Sequence, residues 1–494
     1  MNRPALCGSR WLRLGGRRLR PFATFLAGIA AALLAGCVAG DRGPINVFVA
    51  EVGPASPEFI PDPGDDGSLV VGLAFSGGGA RAAAFAYGVL RELDEAVIDE
   101  VPYRRTMVDD IRMISGTSGG AIMAAYFGYR GPDEYRDFRE RFLLQNAESA
   151  LRTSMNSPAN LARAWSGGVN DRSAFARWLD RNLFEGATFE RLKRSNAPIV
   201  WLTASDIYNG TPFLFTYDTF AALCSDLDQV RLADAVAASA AFPVVFAPVM
   251  LAADAPDCGY RQPAWKERAL TDRETPLRLA AYARALDSYR GGQGPSHVRL
   301  LDGGLTDNIG ITGFALERAA ATTPHGPLSP AEAVKLDRLL YIVTDAGRER
   351  APVWGASARG PGLPDLLAAV SDTAISSSTR EGFDALELEV AHWRNDIVRY
   401  RCGLSMAEIR KHRGTLDGWD CRNVRLAVEH VSFRSLDAET KARLDQVPTR
   451  LSLQQAEVDF VIEAGRRAIR SNPSVRDALA HIQRKAGVGA AHAW

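Results

Sequence analysis

Apolar residues along this chain fall into short runs, separated by glycine-rich turns and by stretches of good helix formers. The clearest run is LVVGLAF at 69–75, which leads into SGGGAR and then an alanine-rich stretch at 82–93. The same order recurs at 111–128, where IRMI leads into SGTSGG. Short continuous apolar runs are typical of strands that are buried on both faces. Further strand candidates are 199–203, 298–301 and 339–343.

The alternation of strands and helices predicts an α/β fold with a mostly parallel central sheet and helices on both faces. No internal repeat and no long linker follow residue 68, so we expect one large α/β domain over 68–350. Residues 364–400 and 454–471 have the pattern of helices, which predicts a mainly helical C-terminal extension over 351–494, packed on that domain. Residues 259–297 are polar and arginine-rich and predict an insertion before the strand at 298.

The N-terminal apolar run has a different meaning. Residues 1–36 carry six arginines and no acid, and their apolar part spans the 13 residues 22–34. This pattern is typical of a secretory signal peptide, because a transmembrane helix needs about 20 apolar residues. The run ends in Leu34-Ala35-Gly36-Cys37, which resembles the lipobox of bacterial lipoproteins. The resemblance implies a signal peptide over 1–36 and a lipid on Cys37; the alternative is a plain signal peptide or membrane anchor with an incidental cysteine.

Removal of the signal peptide changes the charge of the protein. The 494 residues contain 58 Lys+Arg and 58 Asp+Glu, so the loss of six arginines leaves a formal charge of −6. A nucleic-acid partner is not expected, because phosphate neutralisation needs a basic surplus. The hydrophobic share of 47% excludes disorder over most of the chain. Residues 38–67 are rich in Pro, Gly, Asp and Ser, so we expect a flexible tether over 37–67.

Four cysteines remain besides Cys37 in the exported chain: Cys224, Cys258, Cys402 and Cys421. In an oxidising compartment they allow three pairings. Closeness in sequence favours Cys224–Cys258 and Cys402–Cys421, since short loops close most easily. Four free buried thiols are the alternative. The long spacings, without a Cys-x-x-Cys motif, argue against a zinc site.

The turn at 116–120, GTSGG, places a serine between a strand and a helix. A nucleophilic serine must project from a sharp turn, and the flanking Gly116 and Gly120 leave room for strained backbone and for substrate. The following helix directs its positive end at the turn, where it favours developing negative charge. Ser118 is therefore a candidate nucleophile, and the alternative is a tight turn in which Ser118 caps the helix.

The earlier turn at 77–81, GGGAR, can supply backbone N–H groups. Three glycines at a strand end expose these groups without side chains in the way, which suits an oxyanion hole or a phosphate cradle at a helix N-terminus. A Walker loop is excluded, because no Gly-Lys-Ser/Thr end follows the glycines. Contiguous glycines also fit a dinucleotide fingerprint poorly.

A serine nucleophile needs a base. None of the seven histidines lies in a turn that suits this role. Asp302, in LDGG at 301–304, follows the strand at 298–301, and we expect this strand to be parallel. Its carboxylate would then lie at the sheet edge where open α/β sheets place their sites. The alternatives are structural: Asp302 can form an Asp-Gly turn, and Asp206, at another strand end, fits an Asx-turn.

The three blocks at 77–81, 116–120 and 302–304 resemble, in this order, the signature motifs of the patatin-like phospholipases. The 184 residues between Ser118 and Asp302 suit that family. Residues 238–249, ASAAFPVVFAPV, resemble its small-residue helix end before a proline-bounded aromatic segment. The resemblance covers roughly 68–347 and implies a three-layer α/β/α patatin-like fold.

The family's catalytic unit is a Ser–Asp dyad without histidine, so the resemblance implies Ser118 as nucleophile and Asp302 as base, with no metal and no cofactor. The implied oxyanion hole consists of Gly77, Gly78 and Gly79. The implied motif-supporting residues are Arg81, Gly116, Gly120, Gly303 and Gly304, together with Asn308 in a structural role. A carboxylate is a weak base at its ordinary pKa, so we expect the site to be partly desolvated.

The expected function is that of a lipid acyl hydrolase, a phospholipase A or lysophospholipase with a lipid substrate. Val38 after Cys37 fits outer-membrane sorting, so we expect a lipid-anchored protein on the periplasmic face of the outer membrane. One alternative is a catalytically silent patatin-fold lipoprotein that binds lipid or a protein partner. The other is an esterase or thioesterase that acts on small soluble acyl substrates.

Overall fold

The structure is a computed structural model and describes residues 41–53, 61, 64–152, 157–165, 167–290, 292, 294–349, 353–356, 358 and 360–487. The expected signal peptide, Cys37 and part of the expected tether lie outside these residues. Among the residues described, no helix is both long enough and apolar enough to span a membrane.

An eight-stranded sheet forms the centre of the described structure, in the order β10-β9-β1-β4-β5-β8-β7, with β6 paired to β5. The strands are β1 (Leu69–Phe75), β2 (Val97–Asp99), β3 (Arg105–Thr106), β4 (Ile111–Thr117), β5 (Ile199–Asp206), β6 (Thr211–Leu214), β7 (Val249–Ala252), β8 (His297–Asp302), β9 (Arg338–Asp345) and β10 (Arg425–Ser432). The five strands from β10 to β5 are parallel, and β6, β8 and β7 are antiparallel to their neighbours. The predicted mostly parallel sheet is thus confirmed.

Helices cover both faces of this sheet, as predicted. They are α1 (Gly79–Glu95), α2 (Gly119–Glu134), α3 (Pro158–Trp165), α4 (Phe175–Leu179), α5 (Tyr217–Ala222), α6 (Leu232–Ser239), α7 (Ala264–Thr271), α8 (Leu277–Ser288), α9 (Gly304–Asp307), α10 (Thr312–Ala320), α11 (Pro330–Lys335), α12 (Leu363–Cys402), α13 (Met406–Arg413), α14 (Ala438–Leu444), α15 (Gln455–Arg470) and α16 (Pro473–Ala486).

Strand β1 explains why the sheet has two apolar faces. All seven of its residues are buried, so the strand reads as a continuous apolar run. Leu73 and Phe75 belong to a core shared with α1 and α2, whereas Val70 and Ala74 belong to a second core that includes Trp393 of α12. Because successive side chains point to opposite faces, two cores on one strand produce three layers.

The C-terminal part of the chain is built into the same body. Strand β10 pairs in parallel with β9 over its whole length and forms one edge of the sheet. Helix α15 crosses α1 closely, because a Cβ on Gly88 would lie 2.1 Å from the Ile462 carbonyl oxygen and one on Gly465 would lie 2.3 Å from that of Phe85. The region beyond residue 350 therefore adds a strand to its helices, which the sequence pattern did not predict.

Two further segments are packed against the sheet. The expected insertion contains α7 and α8, and Leu279, Tyr282 and Leu286 of α8 are buried in the main core. The first described residues lie along β7: the Ile45 N–H donates to the Met250 carbonyl, and the Ala252 N–H donates to the Asn46 side chain. These bonds cover an otherwise open strand edge, so this part of the expected tether is attached to the domain.

Two disulfides join described residues, Cys224–Cys258 and Cys402–Cys421, with sequence separations of 34 and 19 residues. Loop-closure entropy assigns them about 4 and about 3 kcal/mol of stability, respectively. We expect reduction, or paired Cys→Ser replacement, to lower the melting temperature with the larger effect at Cys224–Cys258. Calorimetry of each paired variant checks this, and an unchanged melting temperature in both would contradict it.

Candidate active site

The turn after β4 holds Ser118 in a strained conformation. Ser118 has φ 53° and ψ −117°, a backbone region that non-glycine residues rarely adopt. The residue stands directly before α2, whose first residue is Gly119. This strand–turn–helix arrangement projects a serine hydroxyl from a sharp bend while the helix directs its positive end at it.

Asp302, the last residue of β8, lies beside this turn, but β8 runs in the opposite direction from the one predicted. Asp302 pairs with Ala204 in an antiparallel register with β5, so the expectation of a parallel strand was wrong. Thr117 pairs with Thr203 on the other side of β5. Because β8 enters from the carboxyl edge of the parallel strands, its last residue ends level with Ser118. The direction of a strand depends on its pairing across the sheet, and the local apolar pattern does not indicate that pairing.

The Ser118 hydroxyl donates a hydrogen bond to Asp302, with 2.9 Å between Oγ and Oδ2. The other carboxylate oxygen of Asp302 accepts from the Gly304 N–H at 2.8 Å. Asp302 is only 6% exposed, and no cationic side chain pairs with it among the residues described. Burial raises the pKa of Asp302 to about 6, although both hydrogen bonds act in the opposite direction. The expected desolvation of this carboxyl group is therefore present.

Ser239, at the end of α6, forms hydrogen bonds with the backbone beside both Ser118 and Asp302. Its hydroxyl accepts from the Ser118 N–H at 2.8 Å and donates to the Thr203 carbonyl at 2.6 Å. Its carbonyl accepts from the Gly303 N–H at 3.0 Å. Ser239 is fully buried, so these bonds are shielded from water. One residue thus fixes the backbone at the strained serine and directly after the aspartate.

The three glycines after β1 do not have equivalent N–H groups. The Gly77 N–H donates to the Asn308 carbonyl at 2.9 Å, so it is already bound and the expectation that it serves an oxyanion is corrected. A Cβ at Gly77 would lie 2.6 Å from Asn308 Oδ1, so this position needs a glycine for space. Within the described part of the chain, the N–H groups of Gly78 and Gly79 have no acceptor.

Gly119 adds a third N–H group to this pair. It is the first residue of α2, and no described residue accepts a hydrogen bond from its N–H. A Cβ on Gly119 would lie 2.1 Å from the Gly79 carbonyl oxygen, so the two glycine turns are in backbone contact. The N–H group after a nucleophile is a usual member of oxyanion holes. Gly78, Gly79 and Gly119 therefore form a candidate anion-stabilising cluster beside Ser118.

The other glycines implied by the sequence motifs lie around this cluster. A Cβ at Gly116 would lie 2.5 Å from the Gly120 carbonyl oxygen, and one at Gly120 would lie 2.3 Å from that of Phe75. Gly303 lies against β5, since its Cβ would be 2.2 Å from the Thr203 carbonyl oxygen. Gly304 begins α9 and binds Asp302 through its N–H.

Arg81 and Asn308 hold the glycine turn from outside. Arg81 is 3% exposed and donates to the carbonyls of Ala346 and Val447, at 3.0 and 2.9 Å. Asn308 accepts from Gly77 through its backbone and reaches Thr379 of α12 with its side-chain amide at 3.3 Å. Both residues therefore have positioning contacts, and both link the turn to the region beyond residue 340.

An apolar rim lies beside the dyad. The Asp302 N–H donates to the Ala241 carbonyl, and the chain continues from there to Val244 and Val245, which are each 41% exposed. Val244 has φ 70°, a costly conformation for a β-branched residue. Its carbonyl accepts from the Val169 N–H, close to the end of α3 and to Trp165, which is 95% exposed.

Ser118 and Asp302 are in contact, as the motifs predicted, but three features of the site were not predicted: Gly119, Ser239 and residues 447–451. Gly119 carried a signal, because it follows the nucleophile at a helix start. Ser239 carried one as the single polar residue in ASAAF at 238–242. The contacts from residues 447–451 to the glycine turn had no local signal. Among the described residues, no group of three or more His, Cys, Asp and Glu side chains is arranged to hold a metal ion.

Comparison with known proteins gives the following likenesses. The search of curated proteins returns no match for this chain. Human GIVD cytosolic phospholipase A2 is 14% identical with a TM-score of 0.38, covering 94% of this chain and 67% of its own. The same enzyme in complex with methyl gamma-linolenyl fluorophosphonate is 13% identical with a TM-score of 0.37; that match covers 84% of this chain and 60% of the solved one. VipD from Legionella pneumophila is 11% identical with a TM-score of 0.30; that match covers 90% of this chain and 71% of the VipD chain.

A family model provides the firmer comparison, because it matches a defined stretch that contains both Ser118 and Asp302. The stretch begins within β1 and ends within α10, so it includes both glycine turns and β8. Residues 73–315, about half of the chain, match the model of the patatin-like phospholipase family.

Proposed function

We propose that the protein is a serine acyl hydrolase that cleaves carboxylic ester bonds of lipids, with Ser118 as nucleophile and Asp302 as base. The observation that carries this proposal is the 2.9 Å contact between Ser118 Oγ and the buried carboxylate of Asp302. A strained serine, an elevated carboxyl pKa and unbound glycine N–H groups converge at this one point.

In the proposed reaction, Ser118 Oγ attacks the ester carbonyl carbon while Asp302 takes the hydroxyl proton. The carbonyl oxygen becomes an oxyanion, which the N–H groups of Gly78, Gly79 and Gly119 stabilise. Collapse of the tetrahedral intermediate breaks the ester C–O bond, and the alcohol leaves with the proton from Asp302. Water then attacks the acyl-enzyme and gives its proton to Asp302. The released Ser118 regains that proton as the fatty acid departs.

The pH dependence of the reaction follows from the base. Because Asp302 acts in its ionised form and its pKa is about 6, we expect kcat/KM to rise with pH through a midpoint near 6 and then level off. Initial rates on a p-nitrophenyl ester between pH 4 and pH 9 measure this. Full activity at pH 4 would contradict the assignment, because the carboxyl group would then be protonated.

A lipid substrate is favoured over a small soluble ester by the apolar rim. Val244 and Val245, three and four residues after Ala241, whose carbonyl binds the Asp302 N–H, expose apolar surface that a soluble ester does not need. Trp165 is also suited to a membrane interface, because its ring has an apolar body and a polar N–H. Phospholipase and lysophospholipase activities both fit this arrangement. The 2.9 Å contact between Ser118 and Asp302 and the unbound N–H groups of Gly78, Gly79 and Gly119 support a hydrolase over the catalytically silent alternative.

We also propose attachment to the outer membrane through a lipid on Cys37. Asp41 pairs with Arg172 at 2.8 Å, two residues beyond Asn170, whose N–H donates to the Val245 carbonyl. Four residues of extended chain reach about 14 Å, so a lipid on Cys37 would be held near the apolar rim. Cys37→Ser should release the protein from the membrane fraction; retention of this variant there would contradict the anchor.

One set of experiments tests the proposed function. A fluorophosphonate probe should label Ser118, as located by peptide mass spectrometry, and absence of label in the folded protein would favour the silent alternative. Acyl release should then be compared for phospholipid vesicles, lysolipid micelles and short soluble esters. A preference for the soluble esters would favour the esterase alternative, whereas faster release from vesicles or micelles supports the lipid hydrolase.

A further inference from the structure

The C-terminal region reaches the active site through residues 447–451, which lie between α14 and α15. They are 132 residues or more beyond the end of the matched domain at residue 315. They contact the first turn of α1, directly after the glycines whose N–H groups are unbound. We refer to residues 447–451 as the C-terminal clamp.

The backbone of the clamp binds the start of α1. The Ala80 N–H donates to the Arg450 carbonyl at 2.7 Å. The same carbonyl oxygen would lie 2.4 Å from a Cβ on Gly79, so the clamp is in direct contact with the glycine turn. The first N–H groups of a helix have no partner within the helix. The clamp therefore binds one of them and leaves those of Gly78 and Gly79 directed elsewhere.

Arg81 ties the clamp to the glycine turn a second time. Its Nη1 donates to the Val447 carbonyl at 2.9 Å and to Thr449 Oγ1 at 3.0 Å. Its Nε donates to the Ala346 carbonyl at 3.0 Å, just beyond β9. Arg348 also donates to the Val447 carbonyl, at 3.1 Å. A buried guanidinium with several acceptors in the clamp fixes that segment relative to α1 and the sheet.

Glu148 holds the clamp from the opposite side. The Arg450 guanidinium pairs with the Glu148 carboxylate through Nε, at 3.1 and 3.2 Å to the two oxygens, and through Nη2. The Leu451 N–H donates to the same carboxylate at 3.0 Å. The Arg450 contact lowers the pKa of Glu148, which is consistent with an ion pair. Glu148 lies in the short 3₁₀ helix Ala147–Ala150, so the pair joins two distant parts of the chain.

We infer that the C-terminal clamp is a positioning element for the oxyanion hole, and that Glu148 and Arg450 are positioning residues. This inference rests on the proposed function of Gly78 and Gly79. Two successive glycines with positive φ, 138° and 63°, have many accessible conformations and cannot hold their N–H groups by themselves. Oxyanion stabilisation depends on donors fixed before the reaction, so an external restraint should increase kcat.

The test compares matched variants of the full chain on a p-nitrophenyl ester. Glu148→Gln keeps an acceptor for Leu451 but removes the charge that binds Arg450. We expect kcat to fall roughly 10-fold with little change in KM, a fraction of the 10²–10³-fold that loss of one oxyanion donor costs. Arg450→Gln should behave alike, and the double variant should be no slower than either, because both remove the same pair.

One control and one further clamp variant separate positioning from general destabilisation. Glu185→Gln removes another surface pair, with Arg141, far along the chain from the glycine turn, and should leave kcat unchanged. Thr449→Val removes one clamp contact while the Arg81 bond to Val447 remains, so it tests the inference even if Glu148→Gln fails to fold. The acid limb of the pH profile should stay near 6 in every clamp variant, because Asp302 is not touched.

The outcomes are distinguishable. Slower turnover and slower fluorophosphonate labelling in the clamp variants, at normal KM, support the inference. Wild-type kcat in folded Glu148→Gln, Arg450→Gln and Thr449→Val would overturn it while the proposed function stands. Absence of both labelling and turnover in the wild-type protein would instead overturn the proposed function, and the positioning role with it.

Discussion

Replacing Ser118 with alanine is expected to reduce ester hydrolysis by at least about 10³-fold, because no other group can form the acyl-enzyme. The change removes one hydroxyl and keeps the strained backbone, whose N–H still donates to Ser239. We therefore expect the melting temperature to stay close to that of the wild-type protein. Turnover of a p-nitrophenyl ester and fluorophosphonate labelling, both followed on the purified variant, provide the measurement.

Asp302→Asn should reduce turnover to a similar degree, since an amide cannot take the Ser118 proton. Its expected effect on stability at high pH is a gain, in contrast to its effect on turnover. Because burial raises the pKa of Asp302 to about 6, the folded state loses stability as the pH rises from about 4 through 6. That loss is at most about 3 kcal/mol for two pKa units. The asparagine avoids it, so the variant should melt at or above the wild-type temperature at pH 8.

Asp206→Asn is the matched control for this pair of variants. Asp206 is also a buried aspartate at a strand end, and it accepts from the N–H of Tyr208 and from the Tyr289 hydroxyl. The bond from the Tyr208 N–H forms the Asx-turn expected from the sequence, and the partners of Asp206 do not include Ser118. We expect this variant to retain turnover. Retained turnover in Ser118→Ala or Asp302→Asn, or its selective loss in Asp206→Asn, would refute the dyad.

The local sequence was sufficient to predict those structural features that depend on residues adjacent in the chain. The two strand–turn–helix units that carry the glycine turn and Ser118 were predicted because an apolar run, glycines and helix formers are contiguous in each. Helix α12, predicted over 364–400, is observed at Leu363–Cys402. The position of Asp302 beside Ser118 came from the family resemblance, since nothing local relates residues 184 positions apart.

The features that were wrong or missed all depend on distant partners. The N–H of Gly77 is bound because Asn308 lies beside it, whereas no described residue accepts a hydrogen bond from the Gly78 N–H. The direction of β8 is set by its pairing with β5. Strand β10 has only partly buried residues over much of its length, so its hydrophobic pattern does not predict an edge strand. Residues 447–451 carry no motif, and two of their contacts with the start of α1 use the backbone carbonyls of Val447 and Arg450, which any residue type would supply.

Gly79→Ala is expected to reduce kcat by about 10²-fold or more with a smaller change in KM. Alanine at φ 63° is strained, and its Cβ would lie 2.4 Å from the Arg450 carbonyl oxygen, so either the turn or the clamp must move. Movement at this point displaces N–H groups that must lie close to the developing oxyanion. Single-turnover rates of acylation, measured beside thermal unfolding, separate loss of catalysis from loss of fold.

Gly414→Ala isolates the backbone strain from the site. Gly414 ends α13 at φ 81°, and a Cβ there would meet no heavy atom within 4 Å. Both variants carry a similar conformational cost of about 1 kcal/mol, but only Gly79 adjoins the oxyanion cluster. Gly414→Ala should therefore lose stability and keep its kcat. Equal activity in the two variants would mean that Gly79 is needed for folding alone; a selective loss at Gly79 means that hydrolysis depends on the shape of this turn.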